Sequence, residues 1–296
     1  TQPENLAFVE RIRQELFDHY PGSLGLAEIL SANELAVMAE YTGGDRRFHT
    51  AYGFIFFSPE LTPALIRHAV ETVFECDPTA WPSWAFSNHD SIRAVSRLAT
   101  EDGDLTAAKL LIVLVTTLPG NGFIYQGDEL GLPHGQVPFD RLVDPEGIAM
   151  WPNHARRDGA RTPMPWQGDS PHGGFSTVEP WLPLDQRHRP LAVDKAEANP
   201  QSCLWLTRRW LALRKQHPAL RWGEFRFVRA EDAVLWFERW NDTETLTCLF
   251  NLSAAPQRVD LNAPVGQCLI AESAEVKGNG LALGSYGFMV WVEAKG

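Results

Sequence analysis

Short apolar runs alternate with amphipathic helical patterns from the N-terminus of this chain to Tyr125. Four of the runs are typical of buried strands and cover residues 24–30, 49–57, 84–87 and 122–125. Apolar residues at helical spacing separate the runs, most clearly over 63–74 and 105–118. Strands that alternate with helices predict βα units and a parallel sheet.

The hydrophobic pattern changes twice after these units. Residues 130–200 are rich in Pro, Gly, Asp and Arg with little periodicity, which is typical of a long loop region that builds a functional surface. A helix is predicted over 201–216. From Gly223 onward apolar and polar residues alternate between polar turns, so a small antiparallel β domain is expected. The predicted domains are therefore 1–221 and 222–296.

Charge and composition exclude several kinds of partner. The 296 residues carry 26 Lys and Arg against 37 Asp and Glu, a formal net charge of −11, and no stretch forms a basic stripe. Neither nucleic acid nor an anionic membrane is expected to bind such a chain. The apolar run 110–118 has about half the length of a bilayer span, and the N-terminal sequence lacks the order of a signal peptide. These features predict a cytoplasmic protein.

Acidic residues follow three of the predicted strands, where the carboxyl ends of parallel strands meet. They are Glu28, the pair His89 and Asp90, and the pair Asp128 and Glu129. Glu28 interrupts an apolar run, where loss of hydration would favour the protonated acid and suit it to donate a proton near neutral pH. Each acid also has a structural interpretation: a strand-end carboxylate bonded to its neighbours, an Asx turn or helix N-cap, or a simple chain turn.

The loop region adds arginines and aromatic residues. Arg157, Asp158 and Arg161 could form a surface ion-pair network, but arginine forks also orient carboxylates and polyols. Tryptophans in loop-rich segments could stack on sugar rings or pack in the core. They are Trp81, Trp84, Trp151, Trp166 and Trp181. Acids and tryptophans together favour a carbohydrate ligand. The four cysteines form no C-x-x-C pair and predict neither a zinc site nor a disulfide framework.

Four segments, in this order, closely resemble the α-amylase family of glycoside hydrolases: 24–29 (LGLAEI), 86–93 (FSNHDSIR), 119–131 (PGNGFIYQGDELG) and 157–166 (RDGARTPMPW). The last segment narrows the resemblance to the α-glucosidase and oligo-1,6-glucosidase branch. A helix that carries 213–220 (LRKQHPAL) follows them, so the resemblance covers essentially the whole chain.

This resemblance implies a (β/α)8 TIM barrel and assigns roles to five residues. Glu28 corresponds to the general acid/base at the end of the fifth barrel strand. Asp90 corresponds to the acid after the seventh strand that stabilises the transition state, and His89 to the neighbouring residue that holds glucose hydroxyls. Arg157 resembles the arginine at the non-reducing end of the bound glucose. Arg161 resembles a residue that supports this arginine.

The chain departs from the family at its front. The nucleophilic Asp of a Gly-Phe-Arg-x-Asp motif and the upstream Asp-x-x-x-Asn-His motif do not occur in it. The expected fold is therefore α/β: the second half of a TIM barrel, strands five to eight, followed by an antiparallel C-terminal domain. The expected partner is the missing N-terminal half-barrel, as a separate or nicked chain. Since a retaining glycosidase needs two carboxylates, the chain alone should not turn over.

The resemblance implies a retaining α-glucosidase that acts on small α-glucosides or maltooligosaccharides. Two alternatives stay open: an inactive sugar-binding module, and a transglycosylase that uses an acceptor other than water. No cofactor is required. Calcium or a monovalent cation is left open, because the usual ligands of the family lie largely upstream.

Overall fold

Ten α-helices and ten β-strands form the regular structure of residues 2–99, 104–152, 156–261 and 263–294, the part of the chain that the computed structural model describes. The helices are α1 (Pro3–Ile12), α2 (Glu34–Thr42), α3 (Pro63–Cys76), α4 (Ala94–Leu98), α5 (Leu105–Thr117), α6 (Pro145–Ala149), α7 (Arg156–Ala160), α8 (Val193–Ala198), α9 (Cys203–Gln216) and α10 (Pro218–Trp222). The strands are β1 (Leu26–Glu28), β2 (Thr50–Tyr52), β3 (Ser83–Ala85), β4 (Asn121–Phe123), β5 (Glu224–Glu231), β6 (Val234–Trp240), β7 (Glu244–Asn251), β8 (Gln257–Asp260), β9 (Gln267–Lys277) and β10 (Gly280–Ala294).

The first four strands are parallel and stand in chain order. β1 pairs with β2, β3 pairs with β4, and a parallel bridge between Ala51 and Pro82 joins the two pairs. The predicted α/β architecture is thus confirmed, although each strand is shorter than its apolar run. The run 49–57 stops pairing after Tyr52, and the Phe54 N–H donates its hydrogen bond to the Glu34 carboxylate instead of to a strand.

The face of β1 that carries Glu28 is open to solvent. Leu26 is 43% exposed and Leu30 is 87% exposed, whereas Ala27 and Ile29 between them are buried. This alternation follows from the period of a strand, whose successive side chains point to opposite faces. Within the described residues, β1 and β4 each pair along one edge only. That this sheet is the second half of an eight-stranded barrel stays a prediction.

The later strands form one antiparallel sheet in the order β5-β6-β7-β10-β8, with β9 paired to β10. Helix α5 lies under this sheet and contacts both β10 and the parallel strand β4. Almost every side chain of α5 is buried as a result, which explains its continuous apolar run. A single hydrophobic core joins α3 and α5 to the inner face of the antiparallel sheet.

The region 130–200 contains α6, α7, α8 and several short 3-10 turns; its residues 153–155 lie outside the described part. The boundary between 221 and 222 stays a prediction, and α10 ends at Trp222 just before β5 begins. All four cysteines are free. No helix in the described part is long and apolar enough to cross a membrane.

Candidate active site

Tyr52, at the end of β2, links two of the strand ends. Its hydroxyl donates a 2.7 Å hydrogen bond to Glu28 Oε1 at the end of β1, and its side chain also bonds to Asn88, which follows β3. Burial and the neighbouring Glu28 carboxylate raise the pKa of Tyr52 to about 12. The tyrosine therefore remains a hydrogen-bond donor at every pH where the protein would work.

Glu28 itself is exposed. The prediction that an apolar run would desolvate this carboxylate is wrong for this structure, because the apolar neighbours on its own face of β1 are exposed as well. Only the alternate residues, which include Ala27, face the core. The structural interpretation of a strand-end carboxylate bonded to its neighbours fits the Tyr52 contact equally well.

Asp90 lies among the other predicted site residues. Arg161 Nη2 donates to Asp90 Oδ1 at 2.5 Å, and Arg161 Nε donates to the His89 carbonyl oxygen at 2.8 Å. His89 Nε2 lies 3.5 Å from Asp90 Oδ1, and Arg157 Nε lies 3.8 Å from the same oxygen. The structure therefore brings His89, Asp90, Arg157 and Arg161 into one cluster.

The Asp90 carboxylate does not serve as a helix cap. Helix α4 begins at Ala94, whose N–H donates to the Ser87 hydroxyl at 2.9 Å. The Asx turn in this loop belongs to Asn88, whose side-chain oxygen accepts from the Asp90 N–H at 2.9 Å. Both roles that the structural interpretation gave to Asp90 are thus filled by its neighbours, and its carboxylate remains available to the arginines.

Arg157 contacts three carboxylates. Besides Asp90, its Nη2 lies 3.3 Å from Glu146 Oε2 and its Nη1 lies 4.0 Å from Asp144 Oδ1. Asp158, the next residue, is buried and accepts from the backbone N–H of Asp144 at 3.0 Å. Asp158 therefore attaches the loop that carries the two acids to the arginine motif.

Asp128 and Glu129 follow β4 and take part in contacts of their own. Burial raises the pKa of Asp128 to about 6, against an opposing effect of Arg93, whose Nη1 lies 3.9 Å away. Burial also raises the pKa of Glu129, which accepts from the Gly127 N–H at 2.7 Å. Gly127 has a φ of +93°, so this carboxylate stabilises a turn in the left-handed region. The structure favours the turn interpretation for this pair.

A cavity of about 350 Å³ opens beside Asp90. Phe54 and Phe57, which follow β2, and Ile92 form its apolar wall. Among the tryptophans, Trp84 is buried in the core and cannot stack on a sugar, whereas Trp166 and Trp181 are exposed.

Sequence reasoning missed several residues of this site. Tyr52 ends the observed strand β2 but lies inside the predicted run 49–57, so the strand-end rule that indicated Glu28 and Asp90 did not mark it. Asp144 and Glu146 lie in the aperiodic loop region, where no pattern marks them. The described residues contain no group of three or more His, Cys, Asp or Glu side chains that could hold a metal ion.

The model of the α-amylase catalytic domain matches residues 1–223. The chain therefore belongs to the α-amylase family, and its relatives lie in the α-glucosidase and oligo-1,6-glucosidase branch. It is 42% identical to a probable α-glucosidase of Rhizobium meliloti (strain 1021) over 255 residues, which cover 85% of this chain and 46% of that protein. An oligo-1,6-glucosidase of Parageobacillus thermoglucosidasius is 29% identical over 60% of this chain and 35% of its own length.

Solved structures agree with this assignment. An α-glucosyl transfer enzyme, XgtA, superposes with a TM-score of 0.91 and 39% identity, covering 99% of this chain and 55% of that one. Trehalulose synthase MutB from Pseudomonas mesoacidophila MX-45, with 23% identity and a TM-score of 0.89, shares the fold. The TIM-barrel-type fold with a C-terminal antiparallel sheet is thus established. The chain spans about half the length of the relatives that it matches.

Proposed function

We propose that this chain carries part of the active site of a retaining α-glucosidase, which removes terminal α-linked glucose from small oligosaccharides or α-glucosides. Glu28 is the general acid/base, and Asp90 stabilises the transition state. His89, Arg157 and Arg161 bind the glucose that is transferred. The nucleophile is supplied by the portion of the barrel that these 296 residues do not include.

One observation carries this proposal: hydrogen bonds link the Glu28 carboxyl group through the Tyr52 hydroxyl and the Asn88 side chain to the backbone N–H of Asp90, across three adjacent strand ends. In a retaining mechanism Glu28 would donate its proton to the glycosidic oxygen as the bond to the anomeric carbon breaks. It would then take a proton from the water that hydrolyses the glycosyl-enzyme. Positive charge develops on the sugar ring in the transition state, so the Asp90 carboxylate beside it would bind that state more tightly than the substrate.

The missing half-barrel is the proposed partner. The exposed apolar face of β1, with Leu24, Leu26 and Leu30 at 68%, 43% and 87% exposure, supports this proposal. Burial of such side chains contributes about 25 cal/mol for each Å² of apolar surface removed from water. Closure of the barrel would also occupy the free edges of β1 and β4.

The test is hydrolysis of 4-nitrophenyl α-D-glucopyranoside by the complete protein and by this chain. We expect turnover by the complete protein and none by the chain alone. Glu28→Gln in the complete protein should lower kcat by several orders of magnitude, because the amide cannot exchange a proton. Glu231→Gln, at an exposed position on β5, is the matched control. A loss below tenfold for Glu28→Gln would refute the assignment, and maltose binding without hydrolysis would favour the inactive module.

Glucosyl transfer is a second candidate, supported by the 39% identity to an α-glucosyl transfer enzyme. The chemistry differs only in the acceptor that attacks the glycosyl-enzyme. Product analysis at high concentrations of a sugar or alcohol acceptor separates the two. Transfer products in excess of free glucose would identify a transferase.

A further inference from the structure

A second groove lies on the outer face of the C-terminal sheet. Along β6, Leu235 and Phe237 face the core shared with the helices, whereas Trp236 and Glu238 face the opposite side. The groove on that side has a volume of about 440 Å³, within the range of about 300 to 1,000 Å³ of small-molecule sites. It shares no residue with the proposed active site.

The strand register builds the floor of this groove. Arg226 on β5 stands opposite Glu238 on β6, which stands opposite Thr247 on β7. Thr247 in turn stands opposite Trp291 on β10. A guanidinium, a carboxylate, a hydroxyl and an indole therefore form one continuous row across four strands.

The polar groups of the groove are held in place but incompletely bonded. Arg226 Nε donates to Glu238 Oε2 at 2.7 Å, and Trp291 Nε1 donates to Glu293 Oε1 at 3.2 Å. The indole N–H of Trp236 is buried and has no hydrogen-bond partner among the described residues. Buried donors are nearly always bonded, so this unpaired N–H beside the groove is an exception among the described residues.

We infer that this groove binds a neutral carbohydrate. The indole of Trp236 offers an apolar surface for the C–H face of a sugar ring together with an N–H for one of its oxygens. The Thr247 hydroxyl and the Glu238 and Glu293 carboxylates offer partners for sugar hydroxyls. Two carboxylates against one arginine leave the groove with a net negative charge, which disfavours sugar phosphates and other anions.

The test follows the eleven indole N–H signals of the chain in a ¹H–¹⁵N spectrum, with maltotetraose as the probe. The indole signal that disappears from the spectrum of Trp236→Phe is the signal of Trp236. We expect that signal to shift on titration to millimolar maltotetraose, both in the native chain and in Asp90→Asn/Arg157→Ala, which lacks the proposed glucose contacts. Glucose 6-phosphate should leave it in place.

Thr247→Val, which keeps the shape of the side chain, should weaken the maltotetraose response about three- to tenfold through loss of a hydrogen bond. Trp205→Phe, at a partly exposed tryptophan on α9, is the control and should not change it. Unchanged thermal unfolding shows that each variant is folded. A Trp236 signal that does not move, that moves only when Asp90 and Arg157 are intact, or that moves equally with glucose 6-phosphate would overturn the inference.

Discussion

The Tyr52 hydroxyl lies 2.7 Å from Glu28 Oε1 and donates a hydrogen bond to it across the β1–β2 pair. This hydrogen bond fixes the orientation of the Glu28 carboxyl group relative to β2. Because the pKa of Tyr52 is raised to about 12, its hydroxyl keeps its proton and continues to donate this bond across the neutral pH range.

Tyr52→Phe in the complete enzyme should therefore lower kcat about tenfold or more, with a smaller change in KM. Tyr20→Phe, at an exposed tyrosine outside the site, is the control. Equal kinetics for the two variants would show that Tyr52 only packs against the strand.

Arg161 holds Asp90 and the His89 carbonyl oxygen with two nitrogens of one fork. Arg161→Lys keeps the charge but provides only a point donor, so we expect kcat/KM to fall about tenfold. Arg161→Ala removes the donors as well as the charge and should lower kcat/KM further. Steady-state kinetics on an α-glucoside measure both, with Arg258→Lys on β8 as the exposed control. If Arg161→Lys keeps the native kcat/KM, the positive charge at this position is sufficient and the two hydrogen bonds of the guanidinium are not needed.

Asp158 accepts hydrogen bonds from the backbone of Val143 at 2.8 Å and of Asp144 at 3.0 Å while its side chain is buried. Asp158→Ala leaves both donors unbonded and should lower the free energy of unfolding by about 2 kcal/mol or more. It should also raise KM, because the loop with Asp144 and Glu146 sets the position of Arg157.

Asp158→Asn retains an acceptor oxygen and should restore most of the stability and the low KM. Denaturant unfolding and kinetics on the two variants together distinguish positioning from bulk stability. If Asp158→Ala lowers stability without changing KM, the loop does not position the arginine.

The raised pKa of Asp128 makes the free energy of unfolding fall as the pH rises. A carboxylate in an ion pair has a lowered pKa and has the opposite effect. Burial raises its pKa from 3.8 to about 6 in the folded state, so the folded protein binds more protons than the unfolded chain between these values. The contribution of Asp128 to stability is therefore most favourable below about pH 4 and declines as the pH rises to about 6.

The unfolding free energy of the native chain minus that of Asp128→Asn should thus fall as the pH rises through this window. Urea titrations at several pH values measure it. Asp260→Asn, at an exposed position on β8, should give a difference that is nearly constant with pH. A difference for Asp128→Asn that rises with pH would show that Arg93 outweighs burial.

Much of the fold was accessible from the sequence because local periodicity and tertiary packing agree. The runs that became β1 to β4, and the helices α3, α5 and α9, were predicted within a few residues. Helix α2 was missed because its sequence is only weakly amphipathic and begins soon after the predicted run 24–30. Strand lengths were overestimated because pairing, which ends where Glu34 accepts the Phe54 N–H, is a long-range event.

Two sequence motifs indicated the candidates His89 and Asp90, and Arg157 and Arg161, and the structure places the four side chains in one cluster. Their roles stay predictions, and no motif gives the 2.5 Å contact between Arg161 and Asp90. The exposure of Glu28 could not be read from its apolar neighbours. Burial depends on what covers a strand face, which is a property of the tertiary structure and not of the run.

One series of ring contacts runs from the helical layer across the antiparallel sheet. Neighbouring centroids lie 5.0 to 6.1 Å apart along Phe74, Phe225, Phe227, Phe237, Phe250 and Phe288. Such close-packed rings tolerate little change in volume at any one position. Natural recombination between relatives would therefore preserve this packing best when α3 and the sheet are inherited together, or when the two parents carry rings of similar volume at these positions.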